Sequence, residues 1–427
     1  MMKIMPVDQF DPEEFKTPPI QAGNEIEARV DEIIAAVRAK GDEALRDYAR
    51  KFDGAELESV LVTDAEMEEA FSSCDEAFLE TLRMARDNIE AFHRRQARNS
   101  FVVSEEAGRV MGQRVIPLKR VGLYVPGGTA PLSSTVLMDA IPPRIAGVRE
   151  IVMATPPGKD GRIAREILCA AKIAGVTKIV KAGGAQAIAA MAYGTESVPR
   201  VDKIVGPGNI YVATAKRRVY GVVDIDMIAG PSEILVLADG KSNPAYVAAD
   251  LLSQAEHDKL ASAILVTDSR ELAEQVQAEV ERQLQALPRQ EIARASIDRN
   301  GKIVVARDLE EGIRIANLIA PEHLEICMDD PFRYLSRVES AGSVFLGRNA
   351  PEALGDYWAG PNHTLPTSGT ARFSSPLSVD DFVKKSQFIY YSREALAEAK
   401  DQIVHFAMRE QLNGHANSVA IRFGETV

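Results

Sequence analysis

The stretch that decides the fold is residues 121–145, VGLYVPGGTAPLSSTVLMDAIPPRI. An apolar run at 121–125 ends in Pro126-Gly127-Gly128, and Ser133 then opens a stretch of helical character that continues to Ile145. A short buried strand, a glycine loop and a helix in this order are typical of one unit of a parallel α/β sheet.

The same order recurs along the chain. Strand patterns at 151–153, 178–180 and 203–205 alternate with helical patterns, and the last two end in Gly183-Gly184 and Gly206-Pro207-Gly208. The alternation resumes at Glu233 and continues through the strand patterns at 263–266, 302–305 and 343–345. Such alternation predicts an α/β fold with parallel sheets.

The two ends of the chain have a different sequence pattern. Residues 25–51 and 64–97 carry apolar residues at helical spacing, so the first hundred residues are predicted to be helical, with Asp64 as a candidate helix cap. From Asp380 onward the chain is again predicted to be helical. Ligands of open α/β sheets bind at the carboxyl ends of the strands, so Tyr124, the glycine loops and Pro231-Ser232 are expected on one functional rim.

Composition excludes several classes of protein. The 427 residues carry a formal net charge of -12, which argues against a broad surface for nucleic acid. No apolar run reaches the roughly 20 residues that span a bilayer. The first fifteen residues are acidic and contain proline, unlike a targeting peptide. The cysteines Cys74, Cys169 and Cys327 are widely spaced, which favours a reducing, cytoplasmic compartment.

The six histidines are scarce enough to examine one by one. Gln254 and His257 lie three apart on a predicted helix and therefore share a face where both could reach a metal; a solvated polar helix end is the alternative. Glu322 and His323 follow the helix-stopping Pro321, where a carboxylate and an imidazole suit general acid–base catalysis. A capping pair at a surface turn is the alternative there.

Two further candidates lie nearer the C-terminus. The stretch 355–363 places Asp356 and His363 around the only tryptophan, so it is either a functional loop with an oxygen ligand for zinc or a structured turn. In the stretch 410–415, His415 could complete a metal site, although Asn413-Gly414 also reads as an ordinary helix stop. His93 and His405 lie in polar helical stretches and receive no chemical role, and Cys327 is interpreted as a small buried residue.

The evidence for a nucleotide in the residues themselves is weak. The dinucleotide fingerprint GxGxxG is absent, because the segment beginning Gly206-Pro207-Gly208 lacks the third glycine. Glycine loops at strand ends predict only that backbone N–H groups could hold an anionic ligand.

Taken in order, eight blocks resemble histidinol dehydrogenases, and the resemblance runs from about residue 25 to the C-terminus. The blocks are VGLYVPGGTAPLSSTVLM (121–138), AGGAQAIAAMAYGT (182–195), VDKIVGPGNIYVATAK (201–216), DMIAGPSEILVLAD (226–239), DLLSQAEHD (250–258), APEHLEI (320–326), AGSVFLG (341–347) and NHTLPTSGTARF (362–373). The KGDEAL segment at 40–45 also fits.

The resemblance implies roles for individual residues. The positions that match the family's catalytic acid–base pair are Glu322 and His323. Those that match its zinc ligands are Gln254, His257, Asp356 and His415. Those that match its substrate contacts are Ser232, Gln254, His257, His323, Asp356, His363, Glu410 and His415. Those that match its NAD contacts are Tyr124, Gln186 and Asn209.

The resemblance also implies an architecture. It implies two Rossmann-like parallel-sheet domains with a helical N-terminal segment and a small helical C-terminal tail. Residues 1–118 and 234–376 would form the metal-binding catalytic domain, 119–233 the NAD-binding domain, and 377–427 a dimerisation tail that crosses to the other subunit of a homodimer. His415 and Glu410 would then serve the neighbour's active site.

The sequence departs from the family pattern at two positions. Gln411 stands where glycine usually follows the glutamate, which questions the local backbone there. Asp224 replaces a common glycine and is expected outside the site.

The implied reaction is the zinc-dependent oxidation of L-histidinol to L-histidine through L-histidinaldehyde with two NAD⁺, the last step of histidine biosynthesis. Three alternatives remain open. A zinc hydrolase would also use a metal and a glutamate base but would not reduce NAD⁺. A ligand-binding α/β protein would need no metal, and a related dehydrogenase would oxidise another small alcohol.

Overall fold

The computed structural model describes residues 1–15, 23–104, 106–127 and 131–427, so Gly128 of the first glycine loop lies outside the described residues. The chain divides into two compact units. The first comprises Met1–Gln96 and Leu118–Phe382, and the second comprises Ala97–Pro117 and Val383–Val427. The helices within the described ranges are all too short or too polar to cross a membrane.

The bounds of the regular elements are as follows. The strands are β1 Lys3–Pro6, β2 Phe101–Val103, β3 Arg109–Pro117, β4 Arg120–Tyr124, β5 Glu150–Thr155, β6 Lys178–Lys181, β7 Lys203–Val205, β8 Asp224–Ile225, β9 Glu233–Ala238, β10 Ser262–Thr267, β11 Lys302–Val305, β12 His323–Cys327, β13 Ser343–Leu346 and β14 Val383–Tyr391. The α-helices are α1 Asn24–Lys40, α2 Asp42–Tyr48, α3 Asp64–Ser72, α4 Glu76–His93, α5 Ser133–Ala146, α6 Arg165–Ala174, α7 Gly184–Tyr193, α8 Ile210–Val219, α9 Pro244–Ala255, α10 Arg270–Leu284, α11 Gln290–Asn300, α12 Leu309–Ile319, α13 Phe332–Leu335, α14 Glu352–Tyr357, α15 Arg393–Arg409 and α16 Asn413–Ala420.

Two parallel sheets form the first unit, which confirms the predicted α/β fold. Over the described residues, one sheet has the order β6-β5-β4-β7-β8 and the other the order β1-β11-β10-β9-β12-β13. All strand pairs in both sheets are parallel. In the first sheet the strand order reverses beside β4, and the glycine loops after β6 and β7 lie at carboxyl ends.

Alternation along β4 explains why this strand is buried on both faces. Val121 and Leu123 belong to one apolar cluster with residues of α5 and α6, whereas Tyr124 belongs to the opposite cluster with residues of α1 and α7. A parallel strand with helices on both faces has no solvent-facing side, so its sequence is apolar throughout.

The N-terminal prediction of helices alone is wrong in part. β1 pairs with β11 at the edge of the second sheet, where Met2 and Met5 are buried. The helical stretch at 64–97 is also two helices, α3 and α4. The cap of α3 is Thr63, whose hydroxyl and the Glu66 carboxylate form a reciprocal capping box, so Asp64 is the first helical residue instead.

The C-terminal prediction also needs correction, because the tail begins with a strand. The second unit contains an antiparallel sheet of order β14-β3-β2, in which Val383–Tyr391 pairs along its whole length with β3. The segment VKKSQFIYY is rich in aromatic and β-branched residues, which suit a strand as soon as a partner is present. Helices α15 and α16 follow it.

A buried ion pair shapes the glycine loop after β7. Lys216 and Asp226 contact each other with side chains that are both 2 % exposed. The Lys216 ammonium also donates to the Gly206 carbonyl at 3.0 Å, and the Gly206 N–H donates to Asp226 Oδ2 at 2.8 Å. The pair therefore fixes the loop through both backbone groups of Gly206.

Replacing Lys216 by Met should destabilise the chain strongly, since Asp226 would remain as an unpaired buried carboxylate. We expect a loss of about 3 kcal/mol in the free energy of unfolding, measured by urea denaturation. Lys178→Met, at an exposed lysine of β6, serves as the control and should change stability by less than about 0.5 kcal/mol. Equal stability of the two variants would contradict this account.

Candidate functional site

His323 is the first residue of β12, paired in parallel with β9, and its imidazole is buried. Its Nδ1 lies 3.0 Å from the Glu233 carbonyl oxygen. A carbonyl only accepts, so the ring proton must be on Nδ1 and Nε2 must carry the lone pair. Nε2 is buried without a hydrogen-bond partner among the described residues. Burial lowers the pKa of His323 to about 4, so the imidazole is neutral at physiological pH.

Glu322 precedes it and is also buried. Its Oε2 accepts the Glu233 N–H at 2.8 Å and lies 3.6 Å from His323 Nδ1. Burial raises the pKa of Glu322 well above its usual range, which makes its ionised form a stronger base. The burial of both side chains rules out the alternative of a capping pair at a surface turn.

Three side chains near this pair form a cluster suited to a cation. One ligand atom each from His257, Glu352 and Asp356 lies within 4.8 Å of the others. His257 follows the end of α9, whereas Glu352 and Asp356 are one turn apart on α14, so Asp356 is on a helix and not in the predicted loop. Imidazole nitrogen and carboxylate oxygen are ligands that Zn²⁺ accepts, so the cluster fits this metal.

The other residues predicted for this region are His363, Gln254 and Ser232. His363 Nδ1 is 3.2 Å from the Asp356 carbonyl and 3.8 Å from Asp356 Oδ1. Burial lowers the pKa of His363, opposed by the charge of Asp356. Gln254 is fully buried on α9, one residue from its end. Ser232 immediately precedes β9, and its carbonyl accepts the Ser262 N–H at 2.9 Å.

The prediction of a single rim at carboxyl strand ends is wrong for the second sheet. Ser232 and Glu322 precede β9 and β12, and His323 opens β12, so they lie at amino ends. Helix α9 leaves β9 at its carboxyl end and runs back, which places Gln254 and His257 at the amino ends as well. In the first sheet, by contrast, the predicted cofactor loops do follow carboxyl ends.

The predicted cofactor residues share this first sheet. Tyr124 ends β4, and its hydroxyl accepts the Gly184 N–H at 3.0 Å. Gln186 is buried on α7, close enough to Gly184 that an added Cβ there would lie 2.9 Å from Gln186 Oε1. Asn209 caps α8 through Oδ1, which accepts the N–H groups of Tyr211 and Val212. Gly184 is therefore needed where it stands, because its φ is positive and a side chain there would crowd the Gln186 amide.

Glu410 and His415 belong to the second unit, so His415 is not in the cluster formed by the described residues of the first. Within the second unit both residues line a cleft of about 410 Å³ whose walls include Phe406 and Leu412. Gln411 adopts a left-handed backbone with φ 62°. This conformation explains why glycine suits the position, since a side chain there costs about 1–2 kcal/mol.

Sequence reasoning missed Glu352, although a signal existed. Glu352 and Asp356 are four residues apart, the spacing that places two side chains on one helix face. The assignment of 355–363 to a loop hid this relation.

Two further predictions concern residues outside the site. Cys327 is buried, as expected. Asp224 forms an ion pair with Lys203, with 3.1 Å between the carboxylate and the ammonium.

Comparisons with known proteins identify the family. A family profile described as histidinol dehydrogenase matches residues 17–423. The chain belongs to the histidinol dehydrogenase family. It is 55 % identical over 401 residues to a histidinol dehydrogenase of Listeria monocytogenes serovar 1/2a, covering 94 % of each chain. It is 56 % identical over 400 residues to one of Bacillus cereus strain ATCC 14579, covering 94 % of this chain and 93 % of that protein.

A solved structure agrees with the sequence relatives. The crystal structure of histidinol dehydrogenase from Elizabethkingia anophelis superposes with a TM-score of 0.93 at 39 % sequence identity. The match covers 99 % of this chain and 98 % of that one. The whole described fold, and not one domain of it, is therefore that of histidinol dehydrogenases.

In this family member a buried carboxyl group joins helix α5 to the loop that carries His363. Asp139 on α5 is fully buried, and its Oδ1 accepts the Thr364 hydroxyl at 2.8 Å. Asn362 donates to the neighbouring Met138 carbonyl at 2.7 Å. The residue between Asn362 and Thr364 is His363. The network thus ties the loop that carries His363 to the helix that follows the first glycine loop.

The pKa of Asp139 predicts a pH dependence of stability. Burial raises it from 3.8 to about 8, so the folded chain keeps this carboxyl protonated where the unfolded chain ionises it. Its stabilising contribution is full below the unfolded pKa and is lost as the pH rises from about 4 to about 8. Asp139→Asn, which is neutral at all pH values, should lack this trend.

The measurement is the thermal unfolding midpoint of both proteins across this range. The midpoint of the wild type relative to Asp139→Asn should fall by a few degrees toward the alkaline end. A difference between the two proteins that does not change with pH would refute a protonated Asp139.

Proposed function

We propose that this chain oxidises L-histidinol to L-histidine through L-histidinaldehyde, with two NAD⁺ and one Zn²⁺ per subunit, in the last step of histidine biosynthesis. The observation that carries the proposal is the convergence of His257 and Asp356 with the Glu322–His323 pair. Family membership across nearly the whole chain supports the substrate.

The proposed metal ligands are Gln254, His257, Asp356 and His415. The donor set, two imidazoles, one carboxylate and one amide oxygen, suits a catalytic zinc. Bound there, the metal would lower the proton affinity of the substrate oxygen that it contacts. For this role, the four protein ligands would have to leave one coordination position of the metal open for the substrate oxygen.

His323 is the proposed general base of the first oxidation. Its Nε2 has a lone pair because Nδ1 donates to the Glu233 carbonyl, and it lacks another partner within the described structure. Nε2 accepts the hydroxyl proton of the substrate while the hydride on the same carbon passes to NAD⁺. The products are the aldehyde, NADH and a protonated His323.

The second oxidation needs water, because an aldehyde has no hydroxyl proton to lose. Glu322 is the proposed base that takes a proton from water as the water oxygen bonds to the carbonyl carbon. Protonated His323 returns its proton to the carbonyl oxygen in the same step, which completes the hydrate and leaves His323 neutral again. The hydrate then loses its hydroxyl proton to His323 and its hydride to a second NAD⁺, which yields the carboxylic acid. The raised pKa of Glu322 makes its ionised form a stronger acceptor for the proton of water.

The remaining assignments concern binding. Ser232, His363 and Glu410 are proposed to contact the substrate beside the ligands and His323, with the Glu410 carboxylate facing the imidazole ring. Tyr124, Gln186 and Asn209 are proposed to contact NAD⁺ in a domain of residues 119–233. The catalytic domain comprises 1–118 and 234–376, and residues 377–427 form the dimerisation tail.

We propose a homodimer in which the tail completes the active site of the other subunit. Exposed apolar side chains in the second unit support such an interface, including Val102 at 63 %, Ile389 at 73 % and Phe406 at 66 % exposure. Patches of this kind mark protein–protein contacts. The cleft that contains Glu410 and His415 would then open toward the partner.

Replacing His323 by Asn should lower the turnover number by about 10²–10⁴-fold, because Asn cannot accept the proton. The assay is NADH absorbance with histidinol and NAD⁺, with and without a chelator. His405→Asn, at a histidine outside the site, is the control and should keep full turnover. Equal turnover of His323→Asn and wild type would reject His323 as the base. Absence of NADH formation by the wild type would reject the function and favour a hydrolase.

Tail exchange predicts complementation between two inactive variants. His323→Asn and Glu410→Ala, refolded together, should form mixed dimers in which one site carries both changes and the other none. The mixture should regain about a quarter of wild-type turnover, because half of the dimers are mixed and each has one intact site. If Glu410 serves its own subunit, every site stays damaged and no turnover returns.

A further inference from the structure

The orientation of one buried amide decides whether Gln254 can serve as a metal ligand. A primary amide has one oxygen, which binds cations, and one NH₂ group, which only donates hydrogen bonds. Gln254 is fully buried on α9, so bulk water cannot satisfy the group that faces away from a cation. A neighbouring side chain must therefore hold the NH₂ group.

Glu352 is the neighbour in position to do so. With the amide turned so that its nitrogen faces α14, Gln254 Nε2 donates to both carboxylate oxygens of Glu352, at 2.8 Å to Oε2. In the opposite orientation the amide oxygen would face these same acceptors, which is repulsive. The Glu352 carboxylate therefore selects one of the two amide orientations.

Glu352 is itself held in place by two contacts. Its N–H donates to Glu325 Oε1 at 2.8 Å, which anchors the first turn of α14. Its Oε2 also accepts the Ser253 hydroxyl at 3.1 Å. The side chain is only 2 % exposed. A buried carboxylate that accepts from Ser253 and stands on an anchored helix turn is a rigid support.

We propose that Glu352 is a positioning residue that holds the Gln254 NH₂ group and so turns the amide oxygen toward the cation site of His257 and Asp356. The inference rests on the proposed role of Gln254 as a zinc ligand. Glu352 lies within the same 4.8 Å cluster, but in the amide orientation that its carboxylate selects, both of its oxygens accept from Gln254. It acts through that amide and does not bind the metal itself.

The experiment measures zinc affinity on full-length protein stripped of metal, by competition with a chelating dye. Glu352→Ala should weaken zinc binding by roughly 10–100-fold, the range for groups that orient metal ligands. Glu352→Gln keeps one acceptor oxygen and the side-chain volume, so its loss should be smaller. Glu256→Gln removes the same charge from the residue beside His257, keeps the backbone bond from the Glu256 N–H to the Gln254 carbonyl, and should leave the affinity nearly unchanged. Far-UV circular dichroism checks the fold of each variant.

A double-mutant cycle separates positioning from direct ligation. On a Gln254→Ala background, Glu352→Ala should cause no further loss of zinc affinity, because the amide through which Glu352 acts is gone. Losses that multiply would show that Glu352 contributes independently and would overturn the proposal. Unchanged affinity in Glu352→Ala and Glu352→Gln would overturn it as well.

The outcome for His257→Ala distinguishes this failure from failure of the proposed function. Strongly weakened zinc binding in His257→Ala together with unchanged binding in Glu352→Ala overturns the role of Glu352 alone. Unchanged zinc binding in His257→Ala overturns the proposed cation site and, with it, this inference.

Discussion

The hydrogen bond from His323 Nδ1 to the Glu233 carbonyl is the interaction on which the rest of the site depends. It places the ring proton on Nδ1 and leaves the Nε2 lone pair without a hydrogen-bond partner among the described residues. The bond exists because β9 and β12 are parallel neighbours in register, with His323 opposite Ile234. The same residue, Glu233, donates its N–H to Glu322, so one peptide segment orients both members of the proposed acid–base pair.

The second constraint is the attachment of the loop that carries His363. Residues 362–368 form hydrogen bonds to three separate parts of the chain. The Thr364 hydroxyl donates to Asp139 on α5, and the Ser368 N–H donates to the Glu233 carboxylate. The Thr367 hydroxyl oxygen accepts the Gly230 N–H. These contacts connect amino ends in the six-stranded sheet with the helix after the glycine loop of the five-stranded sheet. A reaction that moves a hydride between two ligands needs such a connection, because small displacements are costly in rate.

The sequence was sufficient for the layer architecture because strand, glycine loop and helix alternate with clear periodicity from residue 121 onward. It was less informative where pairing is nonlocal. β1 and β14 depend on partners about 300 and 270 residues away along the chain, which no local pattern reports. Residue spacing alone paired Gln254 with His257, but it did not reveal Glu352, because the helix that carries it has only six residues. The expected carboxyl-end rim failed for Ser232, because this residue precedes β9 and lies at an amino end of the second sheet.

The tautomer of His323 can be observed directly by ¹⁵N NMR of protein labelled at histidine. The account predicts a neutral ring at neutral pH, with the proton on Nδ1 and an Nε2 resonance typical of an unprotonated nitrogen. His323→Asn supplies the assignment by loss of that signal. A proton on Nε2, or an imidazolium at neutral pH, would contradict the proposed base and the hydrogen bond that orients it.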